Sequence, residues 1–334
     1  MIEKRRAGLG RVQRHTMAES AHERAVRNVD TLYRYYTTVD PAPFKAKHYQ
    51  ALLKSLKEIT LDSVDDVAKI DTGRGLKRKL EILVSNGEDF PELRTIDIDA
   101  LSHISTLSTV YGVGPAKARE LVITHNIRSM DQLRENKQLL NKKQLLGLEH
   151  YEDIHKRIPY EEMCKHNDNL SNVLTSLGVK EYGVMGSFRR KAKDSGDIDL
   201  LVSGPKNPMK PLIASLTKSG YLWPEPLASG TLKYMGLCRL PGGEAWRRID
   251  ILYSPPKEYP FAVLYFTGSM QFNTKMRGRA LERGLSLNEK GFTIVDKNST
   301  IVDKDSLDAI DKEFACERDI FDYLEMDYVA PTER

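Results

Sequence analysis

Two aspartates one residue apart, Asp197 and Asp199, follow a glycine-serine turn in the run Met185-Gly-Ser-Phe-Arg-Arg-Lys-Ala-Lys-Asp-Ser-Gly-Asp-Ile-Asp199. Alternate residues of a strand share a face, so both carboxylates are expected to point the same way while Ile198 and Leu200 pack behind them. A third acid, Asp250, alternates with Ile249 and Ile251 in Arg247-Arg-Ile-Asp-Ile-Leu-Tyr253, which reads as a neighbouring strand. Three acids on one face repel each other unless divalent cations neutralise them. Hard oxygen ligands holding two ions about 4 Å apart suit phosphoryl transfer, in which cations flank the reacting phosphorus. Taken alone, an Asp-x-Asp pair is as readily a solvated strand edge. The turn, the second acidic strand and the arginines at 189, 190, 247 and 248 favour the metal-binding reading.

A different chemistry is written upstream, in Val110-Tyr-Gly-Val-Gly-Pro-Ala-Lys-Ala-Arg-Glu-Leu-Val122. Gly112 and Gly114 can take positive φ and leave their N–H groups bare, and Pro115 is well placed as the first residue of the next helix. Amide donors running through Gly112, Val113 and Gly114 to a positive helix terminus form a phosphate cradle that reads no base sequence. Asp71-Thr-Gly-Arg-Gly75 is a shorter version, with Gly73 and Gly75, which in isolation reads as an ordinary turn. Two such hairpins look like paired clamps on a nucleic-acid backbone, which makes the partner DNA or RNA.

The elements that must position these residues are of two kinds. From about residue 26 to 95 apolar residues recur at helical spacing, notably through Tyr49-Gln-Ala-Leu-Leu-Lys-Ser-Leu-Lys57 and from Leu76 to Val84. The acids lie in strand-like alternation instead. A length of 334 residues permits two or three compact units, and 40% hydrophobic content is ordinary for a globular chain. The net charge of +4 permits a polyanionic partner without demanding one. Three scattered cysteines, Cys164, Cys238 and Cys316, suit a reducing compartment, and no Cys/His cluster has zinc spacing. No apolar run is long enough to span a bilayer, so no membrane role is expected. The start of the chain, with Lys4, Arg5, Arg6, Arg11 and Arg14 against Glu3, reads as a basic disordered tail over residues 1–25. Such a tail serves nuclear import or nucleic-acid binding, or alternatively acts as a mitochondrial presequence.

The chain resembles the family X DNA polymerases, and among them polymerase β, from about residue 26 to its end. The matching stretches are Tyr-Gly-Val-Gly-Pro at 111–115, Lys-Arg-Ile-Pro at 156–159, Gly-Ser-Phe-Arg-Arg at 186–190, Ser-Gly-Asp-Ile-Asp at 195–199 and Arg-Arg-Ile-Asp at 247–250. Leu-Tyr-Phe-Thr-Gly-Ser at 264–269 and Asp-Ile-Phe-Asp-Tyr at 319–323 complete the set. The resemblance implies a multidomain α and α+β chain. Its parts would be a helical lyase domain with a helix-hairpin-helix (26–95), a second helix-hairpin-helix subdomain (96–159), a nucleotidyltransferase palm with a mixed sheet (160–256) and a C-terminal α/β subdomain binding the nascent base pair (257–334).

It also implies roles. Asp197 and Asp199 would bridge two magnesium ions, and Asp250 would hold the catalytic ion and the primer 3′-hydroxyl. Arg157, Gly186, Ser187, Arg190 and Gly196 would grip the incoming triphosphate. Tyr265, Phe266 and Gly268 would line its sugar, and Asn273 and Arg277 would face the minor groove of the closing base pair. Lys45, Tyr49, Gly73, Gly75, Gly112, Val113, Gly114 and Arg248 would meet gapped or nicked DNA, with a monovalent cation at the hairpins. Lys79 matches the family's Schiff-base lysine when the helix is anchored at Gly87; anchored on the first hairpin, that place falls on Glu81, which cannot act. By helical position Lys79 is expected between Ile82 and Leu83, enclosed by apolar residues.

The sequence departs from the resemblance at Met270, where an acid is usual, at Thr274 for a lysine, at Lys290 for a tyrosine, and at Asp71 for a hairpin glycine. The expected function is template-directed gap filling in base excision repair with an attached 5′-deoxyribose phosphate lyase, in a monomer working in the nucleus with other repair proteins. A template-independent transferase and a silent DNA-end binding module stand beside it. Only Pro241-Gly-Gly-Glu-Ala-Trp246 separates Leu240 from Arg247, which argues against the transferase's long loop.

Overall fold

The structure is a computed structural model that describes residues 19–295 and 312–334. The chain divides into two compact units, one up to Leu148 and one from Glu149. Most of the expected basic tail lies outside the described residues, but its last part does not behave as a tail. A helix, α1 (Ala21–Thr38), already runs there. Ser20 and Glu23 close a capping box, the Ser20 hydroxyl accepting from the Glu23 amide at 3.1 Å and the Glu23 carboxylate from the Ser20 amide at 2.9 Å. Such a cap contributes about 1 kcal/mol, enough to start a helix among polar residues.

In the first unit α1 is followed by α2 (Pro43–Glu58), α3 (Val64–Ala68) and α4 (Arg74–Asn86). Ala25, Val29, Leu32 and Tyr36 recur at four and three spacing on α1 and meet Leu52, Leu80 and Leu83 in one core. Buried Asn28 ties the segment after α4 to this core. It donates to Asp89 at 2.7 Å and accepts from the Phe90 amide at 2.6 Å, which seats the fully buried Phe90 ring. Next come α5 (Ile98–Leu107), α6 (Pro115–Arg119) with a π-helical turn after it, α7 (Met130–Glu135) and α8 (Lys142–Glu149). Leu101, Ile104, Leu107, Leu121 and Leu133 are buried among them.

The second unit holds α9 (Tyr151–His155), β1 (Ile158–Pro159), α10 (Tyr160–Ser176), β2 (Glu181–Val184), α11 (Gly186–Arg189), β3 (Asp194–Ser195) and β4 (Ile198–Ser203). After these come α12 (Met209–Lys218), β5 (Ala228–Ser229), β6 (Lys233–Cys238) and β7 (Arg247–Ser254). This unit starts at Glu149, and within it β1 pairs with β3 and the Trp246 amide bonds Asp153. A five-stranded sheet has the order β2-β4-β7-β6-β5, with β4 and β7 parallel and the other neighbours antiparallel. It is the mixed sheet that was expected.

Both faces of β4 are covered, which is why it reads as a nearly continuous apolar run after Asp199. Ile198, Leu200 and Val202 pack on Leu170, Leu174, Leu212 and Leu216 of α10 and α12, whereas Leu201 packs on Met185 and Ala262. The chain continues through α13 (Tyr259–Thr267), α14 (Met270–Glu282), β8 (Leu285–Leu287), β9 (Phe292–Ile294) and α15 (Glu317–Tyr323). Phe261, Phe272, Phe292 and Phe321 form the core of this last part.

Candidate active site

The parallel pairing of β4 and β7 sets Asp199 directly opposite Asp250, and Asp197 stands one residue before β4. Burial pushes the Asp199 carboxyl up to about 7, and the charges of Asp197 and Asp250 add to the shift. Burial also raises Asp250. Like charges held together out of water are the cause in both cases.

Two cations of the chain temper the cluster. Arg248 bonds the Asp197 carboxylate, and the Lys233 ammonium lies 3.8 Å from Asp250 Oδ2. With these pairings, no three acids or His/Cys side chains among the described residues form a ready-made metal-ligand group. Arg248, expected on DNA, is therefore engaged by the acids. The donor set nevertheless fits a hard divalent ion, since it offers carboxylate oxygens only, and the Asp199 carboxylate makes no ion pair among the described residues.

The turn at Gly186 is shaped around Asp199. Gly186 has φ +60°, and a Cβ there would come within 2.5 Å of Asp199 Oδ2. Only glycine combines that backbone with that approach. The Met185 amide donates to the Asp199 carbonyl at 2.7 Å, so the turn and the acidic strand move as one piece.

A cleft of about 520 Å³ opens beside the acids. It brings Asp197 and Asp199 together with Arg157, Gly186, Ser187, Arg190 and Gly196 from the palm-like sheet region, and with Tyr265, Phe266, Gly268, Asn273 and Arg277 from α13 and α14. Arg157 is held on Asp194 through Nε at 2.8 Å, and Ser187 Oγ bonds Ser195 Oγ at 2.8 Å. Arg190 Nη1 donates to the Thr267 carbonyl at 2.6 Å and fixes Gly268, whose φ of +67° turns the chain from α13 into α14. Asn273 and Arg277, expected on one helical face, both attend Tyr265. Asn273 Nδ2 donates to its carbonyl at 2.8 Å, and the Arg277 guanidinium lies 5.2 Å from its ring centroid. Met270 stands 80% exposed at the cleft, with Thr274 one turn on.

Some residues that hold this site were not found from the sequence. Arg189 Nη1 donates to Thr267 Oγ1 at 2.6 Å and Nη2 to buried Glu317 at 2.8 Å, and the enclosed Arg334 meets the same carboxylate at 3.0 Å. Burial alone would push the Glu317 carboxyl up, but the bonds from Arg189 and Arg334 outweigh it and hold it at about 2. No periodicity marks Glu317 in the sequence; its place beside the 319–323 match is the only signal. Lys233 is legible merely as a strand residue, and its pairing with Asp250 depends on the β6–β7 register.

In the first unit Lys79 is not enclosed as expected. Ile82 is 39% exposed, and the buried face of α4 belongs to Leu80 and Leu83, so Lys79 has an apolar neighbour in the core on one side only. Lys79 Nζ instead pairs with Glu92 and lies 5.7 Å from the Phe90 ring centroid. Tyr49 is buried, with its hydroxyl 3.5 Å from the same Glu92 oxygen. Exposed Lys45 sits 4.6 Å from the Tyr36 centroid, and Tyr36 stacks on Tyr49 at 5.8 Å. The structure thus joins Lys45, Tyr49 and Lys79 through Tyr36 and Glu92. The neighbour of Lys79 is a carboxylate where apolar enclosure was expected.

The hairpins also need correction. Gly112 has φ +84°, but Gly114 has φ −77° and is the extended N-cap before Pro115 at N1. The Val113 amide is not bare, since it donates to the Val110 carbonyl at 2.9 Å. Gln144 Nε2 donates to the Gly112 carbonyl at 3.0 Å, so α8 braces the turn from behind. Gly73 has φ −61° as N-cap of α4, and Gly75 is already in its first turn. The first hairpin needs no special backbone, and neither of its glycines has a neighbour within 4 Å of a built Cβ.

A mixed sheet with paired acids on adjacent parallel strands, beside a glycine-serine turn and an arginine-lined cleft, is a palm-like arrangement. Known proteins agree. The family model described as DNA polymerase beta palm matches residues 157–256, the DNA polymerase beta thumb 262–334, and the fingers domain of DNA polymerase lambda 105–155. The chain belongs to the family X DNA polymerases.

It is 30% identical over 310 residues to DNA polymerase lambda of Rattus norvegicus, covering 87% of this chain and 52% of that protein. With DNA polymerase lambda of Arabidopsis thaliana it shares 28% over 292 residues, 82% of this chain and 54% of the relative. DNA nucleotidylexotransferase of Ambystoma mexicanum is 25% identical over 333 residues, 85% of this chain and 62% of that protein. The chain spans about half the length of the two polymerase relatives.

Proposed function

We propose that this protein is a template-directed DNA polymerase that fills short gaps during base excision repair. The observation that carries the reading is the in-register pair Asp199 and Asp250 beside a cleft rich in phosphate-binding groups. Arg157, Arg190, Ser187 and the Gly186 turn bind the triphosphate of an incoming deoxynucleotide through charge-assisted bonds. Tyr265 and Phe266 form the wall against its sugar, held rigid by Asn273 and Arg277. Asp250, on the neighbouring strand, orients the primer 3′-hydroxyl toward the phosphorus. Two magnesium ions, in keeping with general divalent-metal use in the family, would be held by Asp197, Asp199 and Asp250, and would activate the hydroxyl and neutralise charge on the phosphates.

The first unit is proposed to act as a 5′-deoxyribose phosphate lyase. Lys79 Nζ would attack the sugar aldehyde, with Glu92 the base within reach and Lys45 the phosphate contact. The partners proposed are gapped or nicked DNA, deoxynucleoside triphosphates and other repair proteins, with a monovalent cation at the hairpins, for a monomer in the nucleus or alternatively in mitochondria. A template-independent transferase is disfavoured by the tight turn after β6, where the Gly243 amide bonds the Leu240 carbonyl at 2.9 Å.

Extension of a primer across a single-nucleotide gap, with each nucleotide supplied alone and magnesium present, tests the polymerase reading. Incorporation that ignores the template base, or none at all, would overturn it. Borohydride trapping on an incised abasic site tests the lyase in the same preparation.

A further inference from the structure

A second cavity, of about 700 Å³, lies in the same unit and shares no lining residue with the catalytic cleft. The two are separated by the one-turn helix α11. Ser187 and Arg190 face the cleft, while Phe188 and Arg189 between them line the second cavity. Helix α13 is shared in the same way, with Tyr259 and Val263 on one cavity and Tyr265 and Phe266 on the other.

The walls of the second cavity are aromatic. Tyr160 and Phe188 stack at 5.2 Å, and Tyr182, Tyr259 and Tyr328 add further rings. Its charge is positive. Glu317 is its one carboxylate, and that charge is already matched by Arg189 and Arg334. The cavity also holds two exposed cations, Lys191 and Arg318, that have no carboxylate partner among the described residues. Arg318 lies 4.2 Å from the Tyr328 ring centroid, so a guanidinium and a ring already face the same space. A volume of this size, apolar rings and a few convergent charges are the usual make-up of a small-molecule site.

We propose that this cavity is a regulatory site for a flat aromatic anion, such as an aromatic sulfonate or carboxylate. The ligand's rings lie among Tyr160, Phe188 and Tyr259, and its anionic group meets Lys191 and Arg318. Occupancy is felt in the cleft because Phe188 and Arg189 belong to the same helical turn as Ser187, and Arg189 bonds Thr267, whose carbonyl holds Arg190. A ligand pressing on Phe188 therefore shifts the groups proposed to hold the triphosphate. This last step rests on the proposed function, whereas the binding itself does not.

The test uses 1-anilinonaphthalene-8-sulfonate as the probe and the full chain carrying Cys164→Ser. Cys238 is fully buried, so Cys316 in the cavity wall is then the one accessible thiol. Fluorescence titration is expected to show saturable single-site binding. The double variant Lys191→Glu with Arg318→Glu, both exposed and checked by an unchanged melting curve, should weaken it by about tenfold, the size of a lost charge-assisted bond. The probe should also slow labelling of Cys316 by a thiol reagent. Absence of saturable binding, an affinity that the double variant leaves unchanged, or unaltered Cys316 labelling would overturn the site. For regulation, the dissociation constant of a deoxynucleoside triphosphate is expected to change by about threefold or more when the probe is bound. An unchanged constant overturns the coupling alone. Failure of the chain to bind any triphosphate, with probe binding intact, would count against the polymerase reading and leave the site standing.

Discussion

The two candidate sites of this chain meet opposite electrostatic problems. In the second unit three acids crowd one face, and the most buried of them, Asp199, has its carboxyl raised to about 7 by burial and by its acidic neighbours. In the first unit Lys79 is matched one to one with Glu92, with Tyr49 on the same carboxylate. The first arrangement leaves Asp199 without an ion pair among the described residues; the second is satisfied as it stands, and on the proposed lyase reading this pair must open before Lys79 attacks. A site that gathers like charges declares a missing partner, whereas an ion pair hides its chemistry.

The sharpest way to break the contrast is to remove one acid. Asp250→Ala is expected to lower gap-filling extension by about a thousandfold with little loss of fold, because it deletes a charge that burial disfavours. Primer extension against a melting curve checks both halves, and near-normal extension would sink the metal assignment. Gly186→Ala should lower extension by about a hundredfold, since the φ of +60° and the 2.5 Å approach to Asp199 leave no room for a Cβ. Gly73→Ala, with φ −61° and open space around it, is expected to change stability by no more than about 0.5 kcal/mol.

In the first unit Lys79→Ala should reduce borohydride crosslinking by about tenfold or more, and Glu92→Gln, which removes the proposed base, should slow the trapping. Equal trapping by the Lys79→Ala protein would move the nucleophile elsewhere.

The smallest effect expected concerns pH. His166 is buried between Tyr221, whose hydroxyl is 2.8 Å from Nδ1, and Glu162, and burial holds its pKa down at about 4. The folded chain keeps this ring neutral while the unfolded chain protonates it near 6.5, so stability is full above pH 6.5 and declines as pH falls toward 4. The loss attributable to His166 is at most about 3 kcal/mol, and urea melts of wild type and His166→Phe across that window should differ in slope. Glu317 acts lower still. Its folded value of about 2 lies below the usual 4.5, so its contribution is present above pH 4.5 and disappears as pH falls through 2.

The acid site was legible because its determinants are local. Alternation at Asp197, Asp199 and Asp250 encodes a strand face, and Gly186 with Ser187 encodes a turn. Lys79 was expected to be enclosed because Ile82 and Leu83 flank it on α4, but a count of apolar residues does not say that Ile82 stays 39% exposed while Leu80 and Leu83 enter the core with α1. The backbone of Gly114 stayed open because a Gly-x-Gly spelling does not say which glycine takes the left-handed region. In the folded chain Gly112 takes it, and Gln144, 32 residues away, bonds the Gly112 carbonyl.

What the amino-acid order determined by itself is the set of reacting side chains and the elements that carry them, since both follow from short-range spacing and backbone preference. What only the tertiary structure decided is the company each side chain keeps. Arg248 on Asp197, Lys233 near Asp250, Glu92 on Lys79 and Glu317 between Arg189 and Arg334 all join residues far apart in the chain. Charges act through space, so partners 13 to 128 positions apart are assigned by strand register and helix packing and not by local spacing.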